Sequence, residues 1–281
     1  MASVNDFMTK EVFVVKPNDT LARTKNLMLS KKIGRLVILE SDKIVGIITR
    51  EDLARAFLVS KPTSKARPID QLLVQHFMKQ KVLTVEYNAD ISEAAKLMLE
   101  KDIGGIPVTW GGRLVGIITT HDITKYVSQF PRTGMMVKNF MCKDVAFTSP
   151  FHSVNHVANL LFKNPSHRVV VQDSEGNPVG IISPANLAFF KFSPIKKVSS
   201  RRSVEKGGVP THDKISYVAI ATAGDIMSSP IIIVHENDSI QSAATIMVTK
   251  DIGALPVLNS EGHVSGIFSK KEVLEIAAKK R

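Results

Sequence analysis

Four Gly-x-x-[Thr/Ser] runs along this 281-residue chain each end in a hydroxyl side chain three residues before an acid or amide. They are Thr49-x-x-Asp52, Thr119-x-x-Asp122, Ser183-x-x-Asn186 and Ser269-x-x-Glu272. The first role of such a pair is structural, since the hydroxyl caps a helix and the residue three positions on caps back. Two of the four can do more. An aspartate is short enough to accept both hydroxyls of a cis-diol, and the free N–H groups of a helix start attract phosphate. Asp52 and Asp122 suit the diol, while Thr49 and Thr119 add hydroxyls beside the phosphate. Together they describe a receptor for a sugar phosphate.

The elements that must position these residues repeat. With Met8, Met78, Met141 and Met227 aligned, a good helix N-cap follows at one offset in every segment: Thr20, Asp90, Ser153 and Ser239. Behind the second cap, Ile91, Ala94, Ala95 and Met98 share one helical stripe. Short apolar runs come next, Leu36 to Ile38, Ile106 to Val108, Val169 to Val171 and Leu255 to Val257, and read as buried strands. A turn closes each into a hairpin: Glu40 to Lys43, Gly111-Gly112, Ser174 to Asn177 and Ser260 to His263. The third strand ends in the signature Gly46-Ile47-Ile48-Thr49, Gly116-Ile117-Ile118-Thr119, Gly180-Ile181-Ile182-Ser183 or Gly266-Ile267-Phe268-Ser269. Each opens a second helix. The recurring methionines mark core positions.

This pattern resembles the cystathionine beta-synthase (CBS) domain family. The resemblance implies an α/β (α+β) fold of four β-α-β-β-α repeats arranged as two pseudo-twofold pairs. The expected repeats span 1–59, 70–128, 134–190 and 218–281, with a basic insertion at 191–217. It also implies binding of an adenosine-type ligand, AMP, ADP, ATP or S-adenosylmethionine, in clefts between paired repeats. In the family, the positions of Asp52 and Asp122 contact ribose. Those of Thr49, Arg50, Thr119 and His121 contact phosphate. Adenine lies between apolar strands such as Ile106-Pro107 and the runs Val12 to Val15 and Val82 to Val85, with Val14, Ile47, Thr84, Val85, Ile106, Pro107 and Ile117 as the pocket residues. The arrangement is similar to the gamma subunit of AMP-activated kinase, whose phosphate-contacting His-Arg pair His167-Arg168 resembles.

The alignment exposes an alternation. Odd repeats carry Arg35 and Arg168 where even ones carry Gly105 and Ala254. A cation just before a buried strand would face a cleft between paired repeats, where guanidinium geometry makes phosphate its natural ligand. The alternative is an ordinary surface arginine. The halves are also unequal, because Asn186 and Glu272 replace the aspartates of the first pair. Ser183, Asn186, Ser269 and Glu272 are therefore the weaker sites, and the second half is expected to bind another ligand, bind weakly, or serve assembly.

Composition narrows the function classes. A single cysteine, Cys142, excludes an internal disulfide and cysteine-based zinc, and fits a cytoplasmic setting. No apolar run approaches the roughly 18 residues of a membrane span. His152 and His156 have ligand spacing on a helix, but no acid or cysteine accompanies them, so no metal is expected. Trp110, at a hairpin tip, is an open contact candidate. No nucleophile-base pair or catalytic domain suggests itself, so the chain reads as a regulator and not an enzyme. A sensor of this kind acts on a separate, unidentified protein. The two pairs either form a disc within one chain or pair with a second chain as a homodimer.

Charge offers a competing function. Of a net +11, the insertion holds seven basic residues (Lys191, Lys196, Lys197, Arg201, Arg202, Lys206, Lys214) against two acids, Glu205 and Asp213. The bland reading is a solvated loop; the alternative is nucleic-acid binding through 191–214. Backbone-phosphate binding would weaken steeply with salt and vanish when the insertion is deleted. Unchanged oligonucleotide affinity after that deletion rejects the role.

Overall fold

A computed structural model describes residues 2–59, 71–130, 134–189 and 221–279. The basic insertion lies outside the described residues. Each repeat folds into one small three-stranded sheet and two helices. In the first, β1 (Val14–Val15) pairs parallel with β2 (Arg35–Glu40), which pairs antiparallel with β3 (Lys43–Thr49). Helix α2 (Leu21–Ser30) makes the crossover that a parallel pair requires, and α3 (Arg50–Val59) follows β3. The second repeat has β4 (Val85–Glu86), α4 (Ile91–Glu100), β5 (Gly105–Trp110), β6 (Arg113–Thr119) and α5 (Thr120–Gln129). The third has β7 (Ala146–Thr148), α6 (Val154–Lys163), β8 (Val169–Gln172), β9 (Pro178–Ile182) and α7 (Pro184–Phe189). The fourth has β10 (Val234–His235), α9 (Ile240–Thr249), β11 (Ala254–Leu258), β12 (Val264–Ser269) and α10 (Lys270–Ala278). Short turns α1 (Val4–Phe7) and α8 (Ala223–Ile226) lead into the first and fourth repeats.

All four expected N-caps act as caps. Thr20, Asp90, Ser153 and Ser239 accept from the backbone N–H of Arg23, Ser92, His156 and Ser242. The stripe Ile91, Ala94, Ala95 and Met98 is buried. His152 is engaged at a turn, its Nδ1 2.9 Å from Thr148 Oγ1 and accepting from Ser149 N–H. Trp110 is 70% exposed and stacks on Tyr87.

Paired repeats exchange their entry segments. The residue after each repeat methionine forms a bridge with the residue after its partner's signature glycine: Thr9 with Ile117, Lys79 with Ile47, Cys142 with Ile267, and Ser228 with Ile181. Each bridge carries two backbone hydrogen bonds, such as Thr9 N to Ile117 O and its reciprocal, both 2.9 Å. The methionine itself then lies on the glycine. A Cβ built on Gly46, Gly116, Gly180 or Gly266 would come within 2.5–2.7 Å of the sulfur of Met78, Met8, Met227 or Met141. The recurring methionine and the recurring glycine are therefore two halves of one contact, made across the pair and not within a repeat.

The two pairs join through helices. One core mixes repeats two and four, with Ile123 and Val127 of α5 among Ala243 and Met247 of α9 and Ile276 of α10. The other mixes repeats one and three, with Leu53 and Ala54 of α3 beside Leu187 and Ala188 of α7. The disc thus forms within one chain, and the apolar helical faces of each pair are covered by the other. A Gly116→Ala substitution must displace Met8 and the Thr9 carbonyl, 3.1 Å from the added Cβ. It is expected to cost about 1–3 kcal/mol, whereas Met8→Leu should cost less than about 1.5 kcal/mol. Urea titrations of both variants decide, and equal, negligible losses would contradict the lock.

Candidate functional site

The four strand-to-helix junctions converge on one cavity of about 1250 Å³, walled by residues of all four repeats. Each junction is built by its cap. Asp122 Oδ2 accepts from Thr119 N (2.7 Å) and Thr119 Oγ1 (2.6 Å), and Asp52 Oδ2 accepts from Thr49 N (2.8 Å) and Thr49 Oγ1 (2.6 Å). In both, the second carboxylate oxygen carries no bond to a described residue. Asp122, 6% exposed, lines the cavity. Burial pushes its carboxyl above the usual range, with the Thr119 bonds opposing and His121 and Arg35 helping to hold the charge. Asp52 is half-buried and lies behind the wall.

Arg35 explains the alternation. Its guanidinium lies across the Gly104–Gly105 backbone, so that a Cβ on Gly105 would fall 2.3 Å from Nη1. The equivalent positions of paired repeats face each other across the pseudo-twofold axis, and only one has room for an arginine. Arg168 lies likewise over Gly253, with 3.0 Å to a built Cβ, and donates from Nη1 to the His167 carbonyl at 2.7 Å. Arg35 makes no hydrogen bond or ion pair to a described residue. Burial lowers its pKa to about 10, opposed by Asp122 and reinforced by Arg50. Burial also lowers Arg168, with Glu272 and Glu51 opposing. The reading of a plain surface arginine is excluded for both.

The other phosphate candidates share the same wall. Arg50 lines the cavity while its Nε donates to the Ile33 carbonyl at 3.1 Å. His121 and His167 each span the two pairs. His121 Nδ1 stands 3.7 Å from Asp251 Oδ1, and His167 Nδ1 stands 4.0 Å from Glu51 Oε1. Both nitrogens are buried without a hydrogen bond. Burial lowers the His121 pKa, and Lys270 adds to the drop.

The adenine set needs correction. Ile47 and Ile117 line the cavity, but Ile106 is fully buried among the helices of repeats two and four. Strand alternation forces this, because Ile106 and Val108 point to the helical side. Pro107 pairs with Ile117 and is buried outside the cavity wall. Val85 packs on the core edge, while Val14 and Thr84 are exposed away from the cavity. Of the run Val12 to Val15, it is Val12 and Phe13 that line the cavity. Lys270 and Asp251 belong to the wall and were not anticipated. Lys270 follows Ser269 as Arg50 follows Thr49, a signal that the aligned signature already held.

The second pair differs in kind. Asn186 Oδ1 accepts from Ser183 N (2.9 Å) and Ser183 Oγ (2.8 Å), while its Nδ2 donates to the Ile226 carbonyl (2.8 Å) and Ser228 Oγ (3.1 Å). That uses the full donor capacity of the amide and ties the two repeats together where a diol would enter. Glu272, 5% exposed, is taken up by Ser269 and lies outside the wall. Burial raises its pKa against the Ser269 bonds.

The CBS domain model matches residues 4–59, 74–129, 137–191 and 223–279. The chain belongs to the CBS domain family. Among curated proteins, this CBS protein is 28% identical over 281 residues to the uncharacterized protein MJ1225 of Methanocaldococcus jannaschii, covering 96% of each chain. The uncharacterized protein MK0525 of Methanopyrus kandleri is 35% identical over 123 residues, 43% of this chain and 60% of that one. The crystal structure of MJ1225, described as a candidate archaeal homolog of g-AMPK, superposes with a TM-score of 0.78 at 26% identity, covering 98% and 99% of the two chains. A conserved Pyrococcus horikoshii protein shares the fold, with a TM-score of 0.65 at 20% identity over 98% and 100%.

The third repeat serves as an internal control. Because Asn186 makes the same cap as Asp122, Asp122→Asn is expected to keep stability within about 1 kcal/mol. Asn186→Asp sets a carboxylate oxygen against the Ile226 carbonyl and should cost about 1–3 kcal/mol. Thermal melts check both, and the opposite order would contradict the assignment.

Proposed function

We propose that this chain is a regulatory sensor that reversibly binds an adenosine-type nucleotide in the first pair of repeats and does not turn it over. The observation that carries the reading is Arg35, a half-buried guanidinium that lines the cavity without a hydrogen bond or ion pair to a described residue, beside the half-free carboxylate of Asp122. A partly desolvated cation without a partner is costly, and a phosphate supplies the partner. The carboxylate beside it takes the ribose diol, and Ile117, Val12 and Phe13 offer an apolar wall to the base. Thr119, with His121 beside it, completes the phosphate side. The Asp52 cleft is the secondary position, reached only if its neighbours open.

AMP, ADP and ATP fit this charge better than S-adenosylmethionine, whose sulfonium would add a cation beside Arg35. The likeness to MJ1225 supports a regulatory part. The signal is a shift between repeats or pairs, driven by differential affinity for two arrangements, and passes to a separate protein partner. A single chain completes the disc, so a homodimer would have to use another surface. Among the described residues no helix is long and apolar enough to cross a membrane, and we place the sensor in the cytoplasm.

Melting curves of nucleotide-free protein test the reading. A ligand at a hundred times its dissociation constant stabilises by about 2.7 kcal/mol. AMP, ADP and ATP are expected to raise the melting temperature, S-adenosylmethionine far less, and Asp122→Ala is expected to abolish the rise. No rise with any of them contradicts the sensor.

A further inference from the structure

Lys270 opens α10, a helix of the second pair, and its side chain lines the central cavity without an ion pair or hydrogen bond to any described residue. The charged groups that share this cavity wall and act on it are Asp251 after α9, Arg168 on β8, Arg35 on β2, Arg50 on α3 and His121 on α5. Three of these, Arg35, Arg50 and His121, belong to the first pair. Three guanidiniums and one carboxylate therefore share a cavity wall with an ammonium, an excess of positive charge that folding alone does not favour.

We propose that Lys270 is a specificity-determining residue that reads the negative charge of a nucleotide held by the first pair, so that the fourth repeat gauges the phosphate chain. The inference rests on the nucleotide reading above and extends it to the class of ligand: the longer and more anionic the phosphate chain, the more it gains from Lys270. It also gives the second pair a task. Asn186 is committed to holding its own cleft together, and Glu272 lies behind the wall, yet the pair still contributes a cation to its neighbour's ligand. Adenosine, which has no phosphate, should not sense Lys270.

The charge state of Lys270 adds a second readout. Burial lowers its pKa to about 8, with Asp251 opposing and Arg168, Arg35 and Arg50 adding to the drop. An arriving phosphate reverses that drop. Below pH 8 the ammonium is already present. Above it, binding must bring a proton with it, and affinity falls as pH rises. Arginine at this position stays protonated throughout and removes that dependence.

Titration calorimetry of the nucleotide-free full chain with adenosine, AMP and ATP tests this, at pH 7 and pH 9 and in buffers of different ionisation enthalpy. Lys270→Met is expected to weaken ATP roughly tenfold or more while leaving adenosine within about twofold. Lys270→Arg should retain ATP at both pH values and guards against loss through misfolding. Wild-type protein should take up a proton with ATP at pH 9 and scarcely any at pH 7. Equal weakening of adenosine and ATP would make Lys270 a packing residue, and undiminished ATP affinity or absent proton uptake would equally overturn the proposal. If wild-type protein binds adenosine but AMP and ATP no tighter, the gauge fails and the sensor stands. If it binds none of the three, the sensor fails with it.

Discussion

A methionine sulfur seated over a glycine, in the space where a Cβ would otherwise stand, fixes the geometry on which everything else in this chain depends. The contact is made four times and always between partners: Met8 on Gly116, Met78 on Gly46, Met141 on Gly266 and Met227 on Gly180. It brings the segment after each methionine against the third strand of the neighbouring repeat, where two backbone hydrogen bonds hold it. Each cleft is consequently built from two repeats, one giving the capped acid or amide and the other the overlying segment. No single repeat contains a complete site. Protein interiors transmit strain because they are close-packed, so in the proposed function a ligand wedged between third strand and overlying segment would act on the same contact that holds the pair.

Electrostatics then separates the four equivalent junctions. Helix-to-helix packing of the pairs turns them all toward one cavity, and there Arg35, Arg50, Arg168 and Lys270 gather against Asp122 and Asp251. Repetition would make such a centre symmetric, but two details break the symmetry. Gly105 leaves room for Arg35 to cross the axis. Asn186 replaces a carboxylate with an amide whose protons reach the opposite repeat. The first pair is left with unmet charge and an open acid, while in the second the Asn186 amide is fully engaged. Desolvation costs of this size persist in functional sites because a bound ion removes them.

Much of the architecture was readable from spacing alone. The caps Thr20, Asp90, Ser153 and Ser239, the strand runs and the signature Gly-x-x-[Thr/Ser] all depend on local chemistry, which repeats faithfully along the chain. The Arg35/Gly105 alternation was visible too, although its cause, a close approach across the pair, needed three dimensions. What escaped notice depended on strand facing and on assembly. A two-residue strand such as Val14–Val15 shows no period, so which members of the run Val12 to Val15 line the cavity could not be read, and they are Val12 and Phe13, not Val14. Ile106 was misplaced because a run buried on both faces looks the same from either side. Asp251 and Lys270 enter a site of the first pair because repeats two and four share a core, a long-range consequence of helix packing, although the place of Lys270 after Ser269 matches that of Arg50 after Thr49.

The most direct measurement is a crystal structure of the chain grown with AMP. The ribose hydroxyls are predicted on the Asp122 carboxylate and the phosphate on the Arg35 guanidinium, with the Asn186 amide still bonded to the Ile226 carbonyl. Nucleotide seated at Asn186, with Asp122 and Arg35 untouched, would contradict this account.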